Sequence, residues 1–439
     1  MRRYRARPER AVRRALLLLV GLIVIGILCA VGLTYIDYDD DAGSGLAAGN
    51  SGDQVERGKY LALAGNCAAC HTQRGGAPYA GGRAIETPCG SVFSSNLTPD
   101  ALTGLGGWTA DDFWRAMHLG KSKDGSLLYP AFPYPNYTKV SRADADALFA
   151  WLRTLRPIEQ VKSQHALRFP YNKRFLLAGW RLLYFRPGAY RPDAKQSVEW
   201  NRGAYLVQGL GHCNACHTGR DVLGGSDLKA DLAGGMIPML NWYAPSLTSD
   251  VEAGLGNWQV QEIAELLKTG VGSRAAVFGP MSEVVYKSLQ HLTDSDVNAM
   301  AEYLKSLPQT RAAADPGVPP LPSQDVDRVM TLGADVYRKY CVDCHRTTGA
   351  GIPPAYPPLD GNRSLTMRSA VNPIRMVLNG GYPPGTAGNP RPYGMPPYRL
   401  TLNDDEVAAV VSYIRNSWGN HAGFVSPVEV DRYRSAPLD

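Results

Sequence analysis

Three stretches of the chain run from a helical pattern straight into Cys-x-x-Cys-His: RGKYLALAGNCAACH at 57–71, RGAYLVQGLGHCNACH at 202–217 and LGADVYRKYCVDCH at 332–345. Recurrence at long spacing means that the fold is built from copies of one unit. Each copy also ends alike, with SRADADALFAWLRTL (141–155), LTDSDVNAMAEYLKSLP (292–308) and LTLNDDEVAAVVSYIRNSW (400–418). These segments open on hydroxyl and acidic residues, which suit helix N-termini, and continue with apolar residues at helical spacing. Gly58, Gly203 and Gly333 precede their first cysteines by 8–10 residues, and Trp151, Tyr303 and Tyr413 lie on the closing segments. A small residue facing a large aromatic lets an opening and a closing helix cross closely. The first two copies share SNLTPDALTGLGGW (95–108) and PSLTSDVEAGLGNW (245–258), whereas the third carries YPPLDGN (356–362) instead. The first two are therefore close siblings and the third a more distant version.

Six of the eight cysteines fall in the three motifs: Cys67 and Cys70, Cys213 and Cys216, Cys341 and Cys344. In Cys-x-x-Cys-His the two thiols reach the vinyl groups of one haem, and the adjacent histidine, here His71, His217 or His345, stands under the iron. A thioredoxin-like pair requires a βαβ setting and gives no reason for a histidine after the second cysteine. A zinc site requires a fourth ligand at matching spacing, and none recurs. The expected cofactors are three covalently bound haem c groups.

The N-terminal segment carries a different signal. Seven arginines lie within residues 1–14, an uncharged apolar run of 22 residues fills 15–36, and DYDDD follows at 37–41. This pattern predicts a retained single-pass transmembrane anchor in a bacterial inner membrane, with the rest of the chain on the periplasmic side. A cleaved signal peptide would have a shorter apolar core and a small-residue cleavage site. Cys29 reads as a packing or lipid-facing residue of that run. The arginine cluster accounts for the formal charge of +6, so the remainder is near neutral and nucleic-acid binding is not expected. In order, the chain divides into a cytoplasmic basic tail (1–14), the anchor (15–36), a first unit (54–156), an arm (157–197), a second unit (198–308), a linker (309–325), a third unit (326–420) and a tail (421–439). The segment KRFLLAGWRLLYFRP (173–187) of the arm is expected to pack between units, or else to lie on a membrane surface or dock a partner.

With YLVQGLGHCNACHTGR and GPMSEVVYKSLQHLTDSDVNAMAEYLKSLP, the repeats resemble the tri-haem cytochrome c subunit of bacterial membrane-bound alcohol, aldehyde and gluconate-type dehydrogenases. The resemblance covers residues 54 to about 420. It implies a mostly α fold, three class I cytochrome c domains in tandem behind one N-terminal transmembrane helix. It also implies electron transfer from a separate dehydrogenase catalytic subunit, of molybdenum, quinone or flavin type, to ubiquinone or a terminal oxidase. The first unit looks most like members paired with molybdenum aldehyde oxidoreductases. No residue set on the chain suggests substrate chemistry of its own: there is no nucleotide loop and no Gly-x-Ser-x-Gly. Rival readings are a haem-site enzyme or ligand sensor using an open first iron, and a stand-alone quinol or oxidase shuttle.

In this resembled family a methionine sulfur from the loop before the closing helix completes the iron and raises its potential. Met281 in FGPMSEV and Met395 in YGMPPYR have that placement, while Met236, Met239, Met367 and Met376 read as core-filling. In the first unit Phe132 occupies the ligand loop, and phenylalanine cannot bind iron. Met117, three residues before Gly120, is the favoured donor there, with His118, or a five-coordinate or otherwise ligated iron, as alternatives. Trp108 and Trp258 suit either a haem propionate or the core. Pro358 is expected to accept the second ring N–H of His345, and Cys89 to be a buried thiol.

Overall fold

The computed structural model describes residues 6–33, 51–250, 253–310 and 323–436. Its helices are α1 (Ala6–Leu33), α2 (Ser51–Ala64), α3 (Ala110–Leu119), α4 (Arg142–Leu152), α5 (Leu176–Tyr184) and α6 (Val198–Gln208). They continue with α7 (Val260–Thr269), α8 (Pro280–Lys287), α9 (Asp294–Ser306), α10 (Ser323–Tyr340), α11 (Val371–Asn379) and α12 (Asp404–Arg415), with shorter turns between. The closing helices begin as their sequences predict. Ser141 and Thr293 accept the amides of Asp144 and Asp296, and Asn403 forms a reciprocal capping box with Glu406, which satisfies donors that a helix start leaves open.

Each opening helix crosses its closing helix at the paired glycine. A Cβ on Gly58 would lie 1.9 Å from the Ala147 carbonyl oxygen and 2.8 Å from Trp151 Cβ. On Gly203 it would meet the Ala299 oxygen at 1.9 Å and Tyr303 Cβ at 2.9 Å, and on Gly333 the Ala409 oxygen at 2.3 Å and Tyr413 Cβ at 2.6 Å. The three crossings α2–α4, α6–α9 and α10–α12 are thus one geometry used three times. Leu61, Leu148, Val207 and Leu304 belong to a single apolar core beneath the first two units. Val336, Val407, Val411 and Ile414 form a separate core in the third.

Two small antiparallel sheets complete the frame. Strands β1 (Ala84–Thr87), β2 (Gly90–Phe93) and β3 (Ala166–Leu167) pair in that order, with Ala84 opposite Phe93 and Gly90 opposite Leu167. Strands β4 (Gly235–Ile237) and β5 (Trp242–Ala244) form the second.

The first two units are clasped reciprocally. Tyr60 on α2 donates to Asp296 at 2.6 Å, beside Arg202 at 2.7 and 2.8 Å. Tyr205 on α6 donates to Asp144 at 2.6 Å, beside Arg57 at 2.6 Å. The third unit has Leu332 and Asp335 at the matching arginine and tyrosine positions and cannot join such a clasp. Both carboxylates are buried, so removing a phenolic donor leaves buried charge less satisfied. Tyr60→Phe and Tyr205→Phe are each expected to cost about 1.5–3 kcal/mol in urea unfolding followed by far-ultraviolet circular dichroism. Burial raises the Asp296 pKa, but the Arg202 and Tyr60 hydrogen bonds bring it below the ordinary carboxylate value. Its contribution is therefore present above that value and lost as pH falls through the depressed one.

Two expectations change on this frame. Among the described residues no helix is long and apolar enough to cross a membrane. This overturns the single-pass anchor over 15–36 and the periplasmic placement that followed from it. The acidic run at 37–41, the side chain of Cys29 and residues 311–322 of the linker lie outside the described residues. The arm, by contrast, does pack between units. Leu177 and Ala178 of α5 cluster with Leu127 of the first unit, while Trp180 donates to the Leu223 carbonyl and Tyr184 to Asp221 of the second.

Candidate haem-binding sites

Each Cys-x-x-Cys-His forms a short helical turn directly after its opening helix: Cys67–His71, Asn214–His217 and Val342–His345. The reversals before the first two need left-handed backbone, taken by Asn66 (φ 50°) and His212 (φ 36°). Asparagine tolerates that conformation well.

The three histidine rings are held in the same way. His71 Nδ1 donates to the Ser95 carbonyl at 2.7 Å, His217 Nδ1 to the Pro245 carbonyl at 2.7 Å, and His345 Nδ1 to the Pro357 carbonyl at 3.2 Å. A carbonyl can only accept, so Nδ1 carries the proton and Nε2 keeps its lone pair for a metal. Strands β2 and β5 deliver the acceptors, since Ser95 and Pro245 each follow their strand within two residues. The acceptor for His345 is Pro357 rather than the expected Pro358. The Pro358 carbonyl instead takes the amide of Asn362 at 2.9 Å. Ser95 and Pro245 were readable, because each stands two residues before the leucine of the shared stretch.

Burial lowers the pKa of all three rings, that of His217 to about 4. The imidazoles are thus neutral at pH 7, as metal ligation requires. Burial pushes the thiols of Cys67, Cys213 and Cys341 up to about 12, and the six motif cysteines are free. A pair of free thiols beside a histidine of fixed tautomer is the donor set that covalent haem attachment needs, so the residues fit the group.

The candidate sixth ligands fall on matching elements. Met281 lies in the first turn of α8, four residues after Val277, whose amide bonds the Gly270 carbonyl at 2.8 Å. Phe132 lies four residues after Leu128, whose amide bonds the Gly120 carbonyl at 2.9 Å. The phenylalanine therefore stands at the methionine's structural position, half-buried against the core with its ring 5.2 Å from Tyr137. Met395 pairs with Gly381 through both backbone groups, at 2.8 and 3.0 Å, and packs on the third core. Met117 on α3 is buried in the core that also holds Cys67 and Phe132. His118 turns elsewhere, stacking on Trp114 at 4.3 Å. Trp258 is buried under Arg274 and Arg363, whereas Trp108 is half-buried. Of the four methionines expected to fill core, Met367 is buried, but Met236 and Met239 are exposed and do not fill it. Cys89 is half-buried, not fully buried.

Sequence reading missed two arginines. Arg83 donates to the Ala69 carbonyl inside the first motif and Arg220 to the Ala215 carbonyl inside the second. Arg83 also forms two bonds to Glu283, at 2.8 and 3.1 Å, tying the first motif to the loop helix of Met281. Burial raises the Glu283 pKa, but its Arg83 and Lys287 hydrogen bonds bring it down to about 2. The first two motifs therefore adjoin, and the charge of Cys70 raises the pKa of Cys216 after the larger effects of burial and Arg220.

The cytochrome c family model matches residues 55–156 and 330–418. The chain is 38% identical to the cytochrome c subunit of a quinone alcohol dehydrogenase from Gluconacetobacter polyoxogenes, over 90% of this chain and 87% of that one. It is 39% identical to a gluconate 2-dehydrogenase cytochrome c subunit from Pantoea cypripedii, over 91% of each. A fructose dehydrogenase cytochrome subunit from Gluconobacter japonicus is 34% identical, over 87% of this chain and 82% of that one. With the motif geometry above, these matches place the chain in the family of cytochrome c subunits of bacterial alcohol, gluconate and fructose dehydrogenases.

Proposed function

We propose that the chain carries three covalently bound haem c groups in three tandem class I cytochrome c domains, at 54–156, 198–308 and 326–420. It passes electrons from a dehydrogenase catalytic subunit of alcohol or aldehyde type to ubiquinone or a terminal oxidase. The observation that carries this reading is the threefold use of one histidine device: Nδ1 on a backbone carbonyl, Nε2 left bare, two free thiols alongside. Haem iron held this way cycles one electron between ferric and ferrous states.

Around that chemistry the chain's residues orient and insulate. Cys67 and Cys70, Cys213 and Cys216, Cys341 and Cys344 would anchor the groups, and His71, His217 and His345 would each offer Nε2 to an iron. Met281 and Met395 would supply a sulfur ligand in the second and third units, and Met117, buried in the core of the first, would do so there. The Arg83–Glu283 pair and the Tyr60 and Tyr205 clasp hold the first two motifs side by side, which supports electron passage between them. Co-purification tests the partner. The tagged chain should bring down a dehydrogenase catalytic subunit, and that subunit's substrate should reduce the haems anaerobically. A chain isolated alone, with haems that no alcohol or aldehyde reduces, contradicts the assignment.

Phe132 at a ligand position favours a second reading, in which the first iron binds an external ligand. Carbon monoxide added to the reduced protein distinguishes the two, since three fully ligated haems bind little. Phe132→Met is expected to alter the first haem alone and to reduce any such binding, as followed by the visible spectrum.

A further inference from the structure

Arg363 opens the helical turn Arg363–Thr366 of the third unit, yet its guanidinium lies in the second. Nη1 donates to the Ser246 carbonyl at 3.2 Å, and Cζ stands 5.1 Å from the Trp258 ring centroid. Ser246 directly follows Pro245, the acceptor for His217 Nδ1. Arg363 is also near enough to act on the His217 ring, lowering its pKa after the larger effects of burial and the Pro245 bond.

Among the described residues no carboxylate pairs with this guanidinium. Burial lowers its pKa to about 10, so it remains charged at neutral pH. Arg274 over the same tryptophan is paired with Glu262 at 2.7 Å. Buried Arg415 is surrounded by the carbonyls of Gly423, Leu365 and Arg368. Arg363 has five N–H donors and one carbonyl. Arg363 is half-buried; a cation partly withdrawn from water without an anion is costly, and an arginine fork matches a carboxylate. Haem carries two propionate carboxylates, and the second motif stands beside this residue.

We propose that Arg363 reaches from the third unit into the second to pair with a propionate of the haem held by Cys213, Cys216 and His217. The charge of Arg363, rather than the packing of the third unit as such, thereby tunes the second haem. This rests on the haem assignment above. Its place is fixed by contacts that do not involve the guanidinium: Asn372 exchanges hydrogen bonds with the Tyr243 backbone at 2.9 and 2.8 Å, and Thr386 donates to the Thr269 carbonyl at 2.8 Å. A fixed positive charge next to a haem favours the ferrous form, because reduction removes positive charge from the iron.

Spectroelectrochemical titration of the full chain in its complex tests the assignment, with the second haem's wave identified by its change in Met281→Ala. In Arg363→Gln that wave should fall so that the ferrous-to-ferric ratio at fixed potential drops about tenfold, about 59 mV for one electron. The other two waves should stay in place. Arg363→Lys should restore most of the shift, and Asn372→Ala, which loosens the docking and keeps the cation, should shift it far less. An unmoved wave in Arg363→Gln, equal movement of all three, or an equal fall in Asn372→Ala would overturn the proposal. A wild-type chain without haem at the second motif, seen in the haem count before any titration, overturns the assignment on which it rests.

Discussion

Met281→Ala and Met395→Ala are each expected to lower the potential of one haem by on the order of a few tenths of a volt, within the roughly 0.8 V that axial ligands command. The sign follows from ligand softness: thioether sulfur favours ferrous iron, so its loss favours ferric. Each variant should also remove one methionine-ligated charge-transfer band from the near-infrared spectrum of the ferric protein. Packing cannot mimic this result. Met281 is half-buried at the start of α8, and Met281→Leu, which keeps most of its volume, should show the same spectral loss as alanine. In the first unit the same band should disappear in Met117→Ala. Sensitivity to His118→Ala instead would move that ligand to the histidine, which is buried and stacked on Trp114.

Gly203→Ala is expected to destabilise the chain by about 3 kcal/mol, the upper end of overpacking costs. Alanine is the better helix former by about 1 kcal/mol, so a solvent-facing glycine in α6 would gain from the change. Here the new Cβ meets the Ala299 carbonyl oxygen at 1.9 Å and Tyr303 Cβ at 2.9 Å. A backbone oxygen cannot rotate away, so α6 and α9 must separate. They carry Arg202, Tyr205 and Asp296 of the clasp, and the first unit should loosen with the second. Gly333→Ala should disturb the third unit alone, because that unit has its own core. Urea unfolding with separate readouts for the units distinguishes the two results.

Much of this arrangement was legible because it is local or repeated. Cys-x-x-Cys-His fixes its own chemistry within five residues, and the glycine–aromatic pairs recur three times at matching positions. The position of Met281 and Met395 ahead of the closing helices could be read from the sequence, although Met281 begins a helix and does not lie in an open loop. Long-range polar pairing was not legible. Tyr60 and Asp296 read as a helix-face tyrosine and a first-turn acid, and only the fold makes them partners across 236 positions. Arg363 was hidden for the same reason, since its partners Ser246 and Trp258 belong to another unit. Hydropathy misled at the N-terminus, where the run over 15–36 promised a span that the described residues do not provide. A one-residue error came at Pro357 and Pro358, because either carbonyl satisfies the spacing and only backbone direction decides between them.

The central claim is that every one of the three motifs holds a haem. A pyridine haemochrome assay, set against protein concentration and intact mass of the fully matured chain, measures this directly. The expected result is three covalent haems per chain, falling to two in the double variant Cys213→Ala, Cys216→Ala. Two or fewer in the wild-type chain, or an unchanged count in that variant, would contradict it.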